Sequence, residues 1–278
     1  MKHQKDNKSN ANHPLDKELQ VVIDFAYKAG NIVKNIRSRG YKIFDKGKHL
    51  GLVTEADQEV SQFLVKSMKQ VFPDDLIISE EEPLPPKSAQ ADRIWFIDPI
   101  DGTSDFISGS NEWSVMLGLA IKGEAQLGVV YQPDTQELYY AIKDCGSFFT
   151  KPQKNQPLQV NTVSDPARAI LIQSRSHWST RAENIAKELG INKIIKHGSL
   201  GLKLGKIAKG EADLYFNFSG HCHLWDLCAP EIILNEAGGK LLTASTNRLI
   251  YCAGETRIKE GFLATTNSLA TKVQRFLQ

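Results

Sequence analysis

Apolar residues recur at every third or fourth position over residues 15–36, a spacing typical of an amphipathic helix. They are Leu15, Leu19, Val22, Ile23, Ala26, Ala29, Ile32, Val33 and Ile36. Gly40 follows this run and is expected to end the helix. A second run of the same kind begins after Thr54, which is suited to cap a helix, and stops before Pro73. The pattern therefore predicts two helices near the start of the chain.

The next part of the chain has short apolar runs that are rich in β-branched and aromatic residues and are separated by Gly, Pro and Asp. Such runs are typical of strands. They are LIIS (76–79), IWFI (94–97), SVMLGLAI (114–121), LGVVY (127–131) and ELYYAI (137–142).

Beyond a polar segment at about 151–157, strand-like and helix-like patterns alternate. The expected helices lie at roughly 180–189, 201–209 and 226–237. The change of pattern places a boundary near residue 150 and divides the chain into parts at 15–150 and 151–278. The polar residues 1–14 are expected to form a flexible tail.

The charge composition argues against a partner that is recognised through bulk electrostatics. Among 278 residues, 34 Lys and Arg oppose 32 Asp and Glu, which leaves a formal net charge of +2. This balance predicts neither a nucleic-acid nor a membrane partner. The 41% of hydrophobic residues suffices for a large core. No uncharged apolar run approaches the roughly 20 residues that span a bilayer.

The cysteine pattern favours reduced thiols. Cys145, Cys222, Cys228 and Cys252 include no CxxC pair, and the first residues of the chain lack the apolar stretch of a signal peptide. We therefore expect a soluble, cytoplasmic protein that has no disulfide framework.

The peptide IWFIDPIDGTSDF (94–106) carries the most informative chemistry. Strand geometry alone would place Asp98 and Asp101 on opposite faces. Because Pro99 fixes its own φ and Gly102 permits a tight approach, the chain can turn here and aim both carboxylates at one point, with the carbonyl that lies between them. This arrangement predicts an all-oxygen site for a hard cation.

Each of these acidic residues also has an ordinary structural explanation when taken alone. Asp98 and Asp101 could be solvated acids in a turn, and the Glu80–Glu82 run could be solvated at a strand end. Asp226 opens a predicted helix, where an acid commonly complements the helix dipole. The amides that follow Gly102 are in turn candidates for phosphate binding.

Taken together, four segments resemble the inositol monophosphatase superfamily of Mg²⁺-dependent, lithium-sensitive phosphatases. They are VTEAD (53–57), SEEE (79–82), WFIDPIDGTSDF (95–106) and WDLCAPEIILNEAGG (225–239). The resemblance covers residues 15–278 and implies a layered αβαβα sandwich. In such a fold the α+β half carries most metal ligands, and the α/β half supplies the last ligand and much of the substrate pocket.

The resemblance also implies which residues hold Mg²⁺. One ion would be bound by Glu80, Asp98 and the carbonyl of Ile100. A second ion would be bound by Asp98, Asp101 and Asp226. Both sets consist of oxygen atoms, which Mg²⁺ prefers, and both leave room for water and a substrate phosphate.

Catalysis by a metal-activated water, without a covalent intermediate, is the implied mechanism. By resemblance, Thr103 and Glu80 would orient or deprotonate the attacking water. Asp57 would hydrogen-bond to Thr103 and bind a weaker third Mg²⁺ through water.

Three segments resemble the 3'(2'),5'-bisphosphate nucleotidase branch, which removes the 3'-phosphate of 3'-phosphoadenosine 5'-phosphate. They are SRSH (174–177), GSLGLK (198–203) and WDLCAPE (225–231). A substrate with two phosphates needs cationic or donor groups away from the metals. The residues implied to contact substrate are Gly102, Thr103, Ser104, Arg175, His177, Lys203 and Asp226.

Alternatives to this interpretation remain open. Arg175 and His177 could belong to an ordinary polar loop, and Lys203 could be solvated on its helix. Ser104 and Asp105 follow DGT where both branches usually carry other residues, so an inositol-1-monophosphatase or a related sugar phosphatase is the alternative activity. A non-enzymatic role in RNA or transcription-associated binding is a further alternative. The resemblance is compatible with a monomer or a homodimer.

Overall fold

The computed structural model describes residues 13–47, 51–86, 90–176, 178–245 and 248–278. The helices are α1 (Asp16–Arg39), α2 (Glu55–Val71), α3 (Thr103–Ile107), α4 (Thr180–Glu188), α5 (Leu200–Ala208), α6 (Leu224–Glu236) and α7 (Asn267–Val273). The tail predicted over residues 1–14 lies outside the described residues except for its last two positions.

Sixteen strands accompany these helices among the described residues. They are β1 (Ile43–Asp45), β2 (Leu52–Thr54), β3 (Leu76–Ser79), β4 (Arg93–Asp101), β5 (Ser114–Ile121), β6 (Glu124–Gln132), β7 (Glu137–Ile142), β8 (Ser147–Lys151), β9 (Lys154–Pro157), β10 (Ile170–Ser174), β11 (Lys193–His197), β12 (Leu214–Asn217), β13 (Cys222–His223), β14 (Gly239–Thr243), β15 (Arg257–Ile258) and β16 (Phe262–Thr266).

The larger sheet has seven strands in sequential order from β3 to β9. Only β3 and β4 pair in parallel within it, and the other neighbours are antiparallel. Alternation along β4 assigns Trp95 and Ile97 to the core under α1 and α2, while Phe96 joins the core on the opposite face. The amphipathic helices predicted from the apolar spacing therefore cover one face of this sheet.

The smaller sheet has five strands in the order β11-β10-β12-β16-β14. Its inner face shares a core with α5, α6 and the larger sheet, to which Ile172 and Tyr215 contribute. Its outer face packs on α4 and α7 through a separate core that includes Leu171 and Leu214. The layers therefore run helix, sheet, helix, sheet, helix, as the sequence predicted.

The larger sheet continues through Pro157, past the sequence boundary near residue 150. The helices α5 and α6 also contribute to a core with both sheets. All four cysteines, each within the described residues, are free thiols. Across the described ranges, no helix is both long and apolar enough to cross a membrane.

Two glycines let α6 lie directly against the larger sheet. A Cβ atom at Gly128 would lie 2.3 Å from the carbonyl oxygen of Ala229, and one at Gly118 would lie 2.6 Å from the nitrogen of Ala229. Both glycines face the backbone of α6, which cannot yield as the tip of a flexible side chain can. The close packing of α6 on the sheet therefore requires glycine at both positions.

We expect Gly128→Ala to reduce the free energy of unfolding by about 1–3 kcal/mol, because the added methyl group must displace the backbone of α6. Urea unfolding followed by circular dichroism measures this change. The control is Lys143→Ala, which removes an ion pair to Glu124 with an N–O distance of 2.8 Å. That pair is half-exposed, so its loss should cost less than about 1 kcal/mol. Equal stability of Gly128→Ala and the parent protein would contradict the close packing of α6.

Candidate active site

The end of β4 brings two acidic residues to one side of the larger sheet. Asp98 pairs with Met116 and Asp101 with Ser114, and the register shifts between these pairs. Regular alternation is broken at this point, so both carboxylates reach the layer between the sheets. Gly102 follows with φ of 93°, and a Cβ atom there would lie 3.1 Å from the nitrogen of Ser199. The turn therefore requires glycine.

Glu80 lies beside this turn because β3 runs parallel to β4. Its backbone nitrogen donates to the carbonyl of Ile97 at 3.1 Å, directly before Asp98. The Glu80 carboxylate accepts a hydrogen bond from Lys46 Nζ at 2.8 Å, and Lys46 also donates to Glu81 at 2.6 Å. Burial alone would lower the pKa of Lys46, but the charges of Glu80 and Glu81 outweigh this and raise it.

The first turn of α2 supplies the third part of the site. Thr54 caps the helix as predicted, since its hydroxyl oxygen accepts from Ala56 N at 3.2 Å, and its own backbone N–H donates to Asp57 Oδ2 at 2.7 Å. The hydroxyl of Thr103 lies 3.1 Å from Asp57 Oδ1 and also 3.1 Å from the carbonyl oxygen of Ile100. The cap thus fixes the carboxylate that contacts Thr103.

Asp226 comes from the opposite half of the chain. It lies in the first turn of α6, where its Oδ2 accepts a hydrogen bond from the backbone of His223 at 2.6 Å. Because Gly118 and Gly128 hold α6 against the sheet that carries Asp98 and Asp101, the side chain of Asp226 joins theirs in the middle layer.

Asp101 is held by the first turn of α5. Its carboxylate accepts hydrogen bonds from Leu200 N at 3.0 Å, from Gly201 N at 2.7 Å and from the hydroxyl of Ser199. Ser199 has φ of 47°, an unfavourable conformation for a residue with a side chain. The contacts with Asp101 and with Leu202 N, at 3.0 Å, hold it there.

The side chains of Asp57, Asp98 and Asp101 are buried, Glu80 and Asp226 are half-buried beside them, and several pKa values in this group are shifted. Burial raises the pKa of Asp98 well above its ordinary value, and the charges of Glu80, Asp101 and Asp226 add to this effect. Burial and the charge of Glu80 raise the pKa of Asp226 to about 8. Burial likewise raises the pKa of Asp57 to about 6. The site therefore carries more negative charge than the neighbouring protein neutralises.

The donor set fits a hard divalent cation. The converging ligand atoms are all oxygens, and a cation would relieve the repulsion that raises the pKa of Asp98. Within the described parts of the chain, no three His, Cys, Asp or Glu side chains are already spaced to hold an ion. Several carboxylate oxygens instead accept hydrogen bonds from protein groups, such as Lys46 on Glu80. Cation binding at Glu80 would therefore replace Lys46 as its partner.

A cavity of about 500 Å³ extends from the acidic groups toward the smaller sheet. Ligand sites in proteins have typical volumes of this order. Among the residues that line the cavity are Glu80, Asp101, Thr103, Ser104, Lys203 and Asp226. The cavity is thus lined both by residues that the sequence predicted to bind metal and by residues that it predicted to bind substrate.

Lys203 is buried in the wall of this cavity and is 3% exposed. Its ammonium group lies 3.4 Å from the carbonyl oxygen of Gly198 and 5.3 Å from the ring centre of Tyr215. Burial lowers the pKa of Lys203, although the charges of Asp101 and Asp105 partly oppose this. The side chain is therefore not solvated on its helix, which excludes the ordinary explanation for this residue.

Arg175 has a different environment from the one that the sequence suggested. Its guanidinium group donates to both carboxylate oxygens of Glu112 at 2.7 Å and lies 3.6 Å from Asp105 Oδ1. The same Glu112 accepts from Gly198 N at 2.7 Å. Arg175 thus links the two halves of the chain. His177, also predicted to contact substrate, lies outside the described residues.

Three residues at this site escaped the sequence analysis. Lys46, Ser199 and Trp178 contact or line the site only through tertiary structure. Ser199 lies within the GSLGLK segment, and Trp178 directly follows the SRSH segment. Both segments had been linked to substrate binding, so the sequence did contain a signal for these two residues. Lys46 has no such signal.

Comparisons with known proteins identify a family of similar sequences. The profile of the inositol monophosphatase family matches residues 15–275. Inositol monophosphatase 2 of Mus musculus is 30% identical over 245 residues, which cover 84% of this chain and 81% of the mouse protein. The 3'(2'),5'-bisphosphate nucleotidase CysQ of Haemophilus influenzae is 29% identical, with 88% of this chain and 91% of CysQ covered.

A solved structure shows the same fold. The IMPase of Thermotoga maritima superposes with a TM-score of 0.80 at 25% identity, and the match covers 94% of this chain and 96% of the other. The sequence identities to the inositol monophosphatase and to the nucleotidase are nearly equal. The similarity therefore extends to the family of phosphatases and not to one substrate.

We expect the metal-free protein to lose stability as the pH rises from about 5 to 8. Asp98 and Asp226 have raised pKa values in the folded state, to about 8 for Asp226. The unfolded chain therefore binds fewer protons than the folded one in this range, and the free energy of unfolding falls with pH. Thermal unfolding at both pH values, in the presence of a chelator, measures the effect.

A fixed magnesium concentration, about 100 times the dissociation constant at pH 8, should restore about 2.7 kcal/mol at pH 8 and much less at pH 5, where protons compete for the ligands and raise the dissociation constant. Asp226→Asn is the control and should flatten the pH dependence. A magnesium effect of equal size at both pH values would contradict the assignment of these carboxyl groups as ligands.

Proposed function

The chain belongs to the inositol monophosphatase family, and from this premise we propose that it is a Mg²⁺-dependent 3'(2'),5'-bisphosphate nucleotidase. Its substrate would be 3'-phosphoadenosine 5'-phosphate, which it converts to adenosine 5'-phosphate and inorganic phosphate. The observation that carries this proposal is the buried ammonium group of Lys203 in the same cavity as the acidic groups.

The ligands for the metal would be Glu80, Asp98, the carbonyl of Ile100, Asp101 and Asp226. When bound, Mg²⁺ supplies positive charge to the phosphoryl oxygens and lowers the pKa of water. The raised pKa values of Asp98 and Asp226 support this assignment, because a bound cation would favour the ionised form of both carboxylates. Asp57 would contact a further ion through water.

Thr103 would orient the attacking water, and Glu80 would accept its proton. The hydroxyl of Thr103 can donate to Asp57, which leaves its oxygen to accept a hydrogen bond from water. The water oxygen would then form a bond to phosphorus while the bond from phosphorus to the 3'-oxygen breaks, and the leaving oxygen would take up a proton from solvent water. The hydrogen bond from Lys46 to the Glu80 carboxylate must break before Glu80 can act as the base.

The second phosphate of the substrate would be bound by Lys203. Its ammonium group has three N–H donors and makes one long hydrogen bond, to Gly198. A phosphate beside it would offset the burial that lowers the pKa of this lysine. The amides after Gly102 and the hydroxyl of Ser104 would contact the phosphate that is cleaved.

An inositol 1-phosphate or a related sugar phosphate is the second candidate substrate. It is favoured by the contact between Arg175 and Glu112, because the guanidinium charge is already neutralised there and attracts a second phosphate weakly. Asp105, which lines the cavity, would accept hydrogen bonds from ring hydroxyl groups. The similarity to the mouse inositol monophosphatase points the same way.

We expect Asp98→Asn to reduce kcat by at least about 10³-fold, because several kcal/mol of transition-state stabilisation depend on the metal. Phosphate release under saturating Mg²⁺ measures the loss, and circular dichroism checks that the fold is retained. The matched control is the exposed Asp74→Asn, which should keep full activity. Near-parental activity of Asp98→Asn would contradict the metal assignment.

The substrate is tested by comparing kcat/KM for 3'-phosphoadenosine 5'-phosphate and inositol 1-phosphate with Mg²⁺ present. We expect the nucleotide to be the better substrate by at least about tenfold, as about one strong charged contact would provide. Lys203→Met keeps the side-chain volume and should lower kcat/KM for the nucleotide about tenfold while changing that for the inositol ester less than about threefold. A preference of the parent enzyme for the inositol ester would overturn the nucleotidase proposal.

A further inference from the structure

One wall of the cavity carries a tryptophan that the catalytic chemistry does not use. Trp178 lies in the loop between β10 and α4 and lines the same cavity as Glu80, Asp226 and Lys203. It is 39% exposed, whereas Trp95 and Trp113 are fully buried. An indole ring that is open to a polar cavity leaves a large apolar surface for a ligand to cover.

The ring of Trp178 is held in place by groups from two other elements. Its indole N–H donates to Glu183 Oε2 in the first turn of α4 at 3.2 Å. The ammonium group of Lys196 on β11 lies 4.4 Å from the ring centre. A cation therefore covers one face of the ring, and no aromatic ring within the described ranges stacks on Trp178.

The other aromatic residues of the cavity wall already have partners. Phe218 stacks with Phe216, with ring centres 5.8 Å apart, and the guanidinium of Arg181 lies 4.1 Å from the centre of the Phe218 ring. Tyr215 packs against Phe262 and beside Lys203. Among the described residues that line the cavity, Trp178 therefore offers a large aromatic face that is both held in place and solvent-accessible.

We propose that Trp178 stacks on the nucleobase of the substrate and is a specificity-determining residue of this enzyme. This inference rests on the proposed nucleotidase function and adds to it the feature that distinguishes a nucleotide from a sugar or inositol phosphate. The phosphates would be bound at the acidic groups and at Lys203, and the planar base would cover the indole. A phosphate ester without an aromatic ring gains nothing from this surface.

Stacking at a distance from the reacting phosphorus stabilises the ground state and the transition state equally. Truncation of Trp178 should therefore raise KM and leave kcat unchanged. A stacked base contributes a factor of about 5–150 in binding. A residue that only maintained the fold would instead lower activity toward all substrates.

The kinetic test compares Trp178→Ala and Trp178→Phe with the parent enzyme. For 3'-phosphoadenosine 5'-phosphate we expect Trp178→Ala to raise KM by about tenfold with kcat within about twofold, and Trp178→Phe to stay within about threefold of the parent KM. The KM for inositol 1-phosphate should not change. The matched control is Ile250→Ala, which truncates an apolar side chain that is 71% exposed and should alter neither substrate.

A binding test uses tryptophan fluorescence and does not depend on turnover. Adenosine 5'-phosphate should quench the emission of the parent protein, ribose 5-phosphate should not, and Trp178→Phe should abolish the quench. This readout remains available even if the alanine variant fails to fold.

The two tests separate the inference from the function on which it rests. Absence of quenching by adenosine 5'-phosphate, or an unchanged nucleotide KM in Trp178→Ala, would overturn the stacking role. Poor hydrolysis of the bisphosphate nucleotide by the parent enzyme would overturn the proposed function instead.

Discussion

The structure depends on several carboxyl groups that are buried close to one another. Asp98 is buried and Asp226 is half-buried in the wall of the cavity, and burial together with the charge of Glu80 raises the pKa of both. Such a cluster is unfavourable in an isolated protein, because buried like charges repel strongly at low dielectric. Such a cluster is expected in a protein that binds cations, because a bound cation removes the repulsion between the carboxylates and this gain in free energy strengthens metal binding.

The layered fold brings these groups together from both halves of the chain. The irregular end of β4 aims Asp98 and Asp101 into the middle layer, and two glycines let α6 bring Asp226 close to them. The first turn of α5 holds Asp101 through backbone N–H groups and through Ser199, whose unfavourable φ is maintained by these contacts. Protein hydrogen bonds thus hold the carboxylates in position but do not cancel the repulsion between them. A bound cation would relieve that repulsion.

Much of this arrangement could be predicted from the sequence because it rests on local patterns. The spacing of apolar residues predicted α1 and α2, and Thr54 caps α2 as expected. The layered fold was implied by the resemblance of the four motif segments to a known family, and the structure brings Glu80, Asp57, Thr103 and Asp226, which the same resemblance singled out, to one place. The turn at Gly102, next to Asp98 and Asp101, is the part of the site that local turn chemistry alone predicted.

The remaining features depend on contacts between residues that are distant in the chain. Lys46 reaches Glu80 across 34 positions, and Arg175 reaches Glu112 across 63. Nothing in the local pattern indicates that Arg175 is neutralised or that Lys203 is buried, since both follow from how the halves pack. The orientation of Trp178 likewise comes from Lys196 and Glu183, which sequence patterns do not connect to it.

The most direct test of the central claim is anomalous diffraction from crystals soaked in Mn²⁺, which substitutes for Mg²⁺ at oxygen sites. The account predicts at least one peak about 2.2 Å from carboxylate oxygens of both Asp98 and Asp226, with Lys46 displaced from Glu80. Saturating Mn²⁺ that gives no peak between these two residues would show that the buried acids do not form a metal site.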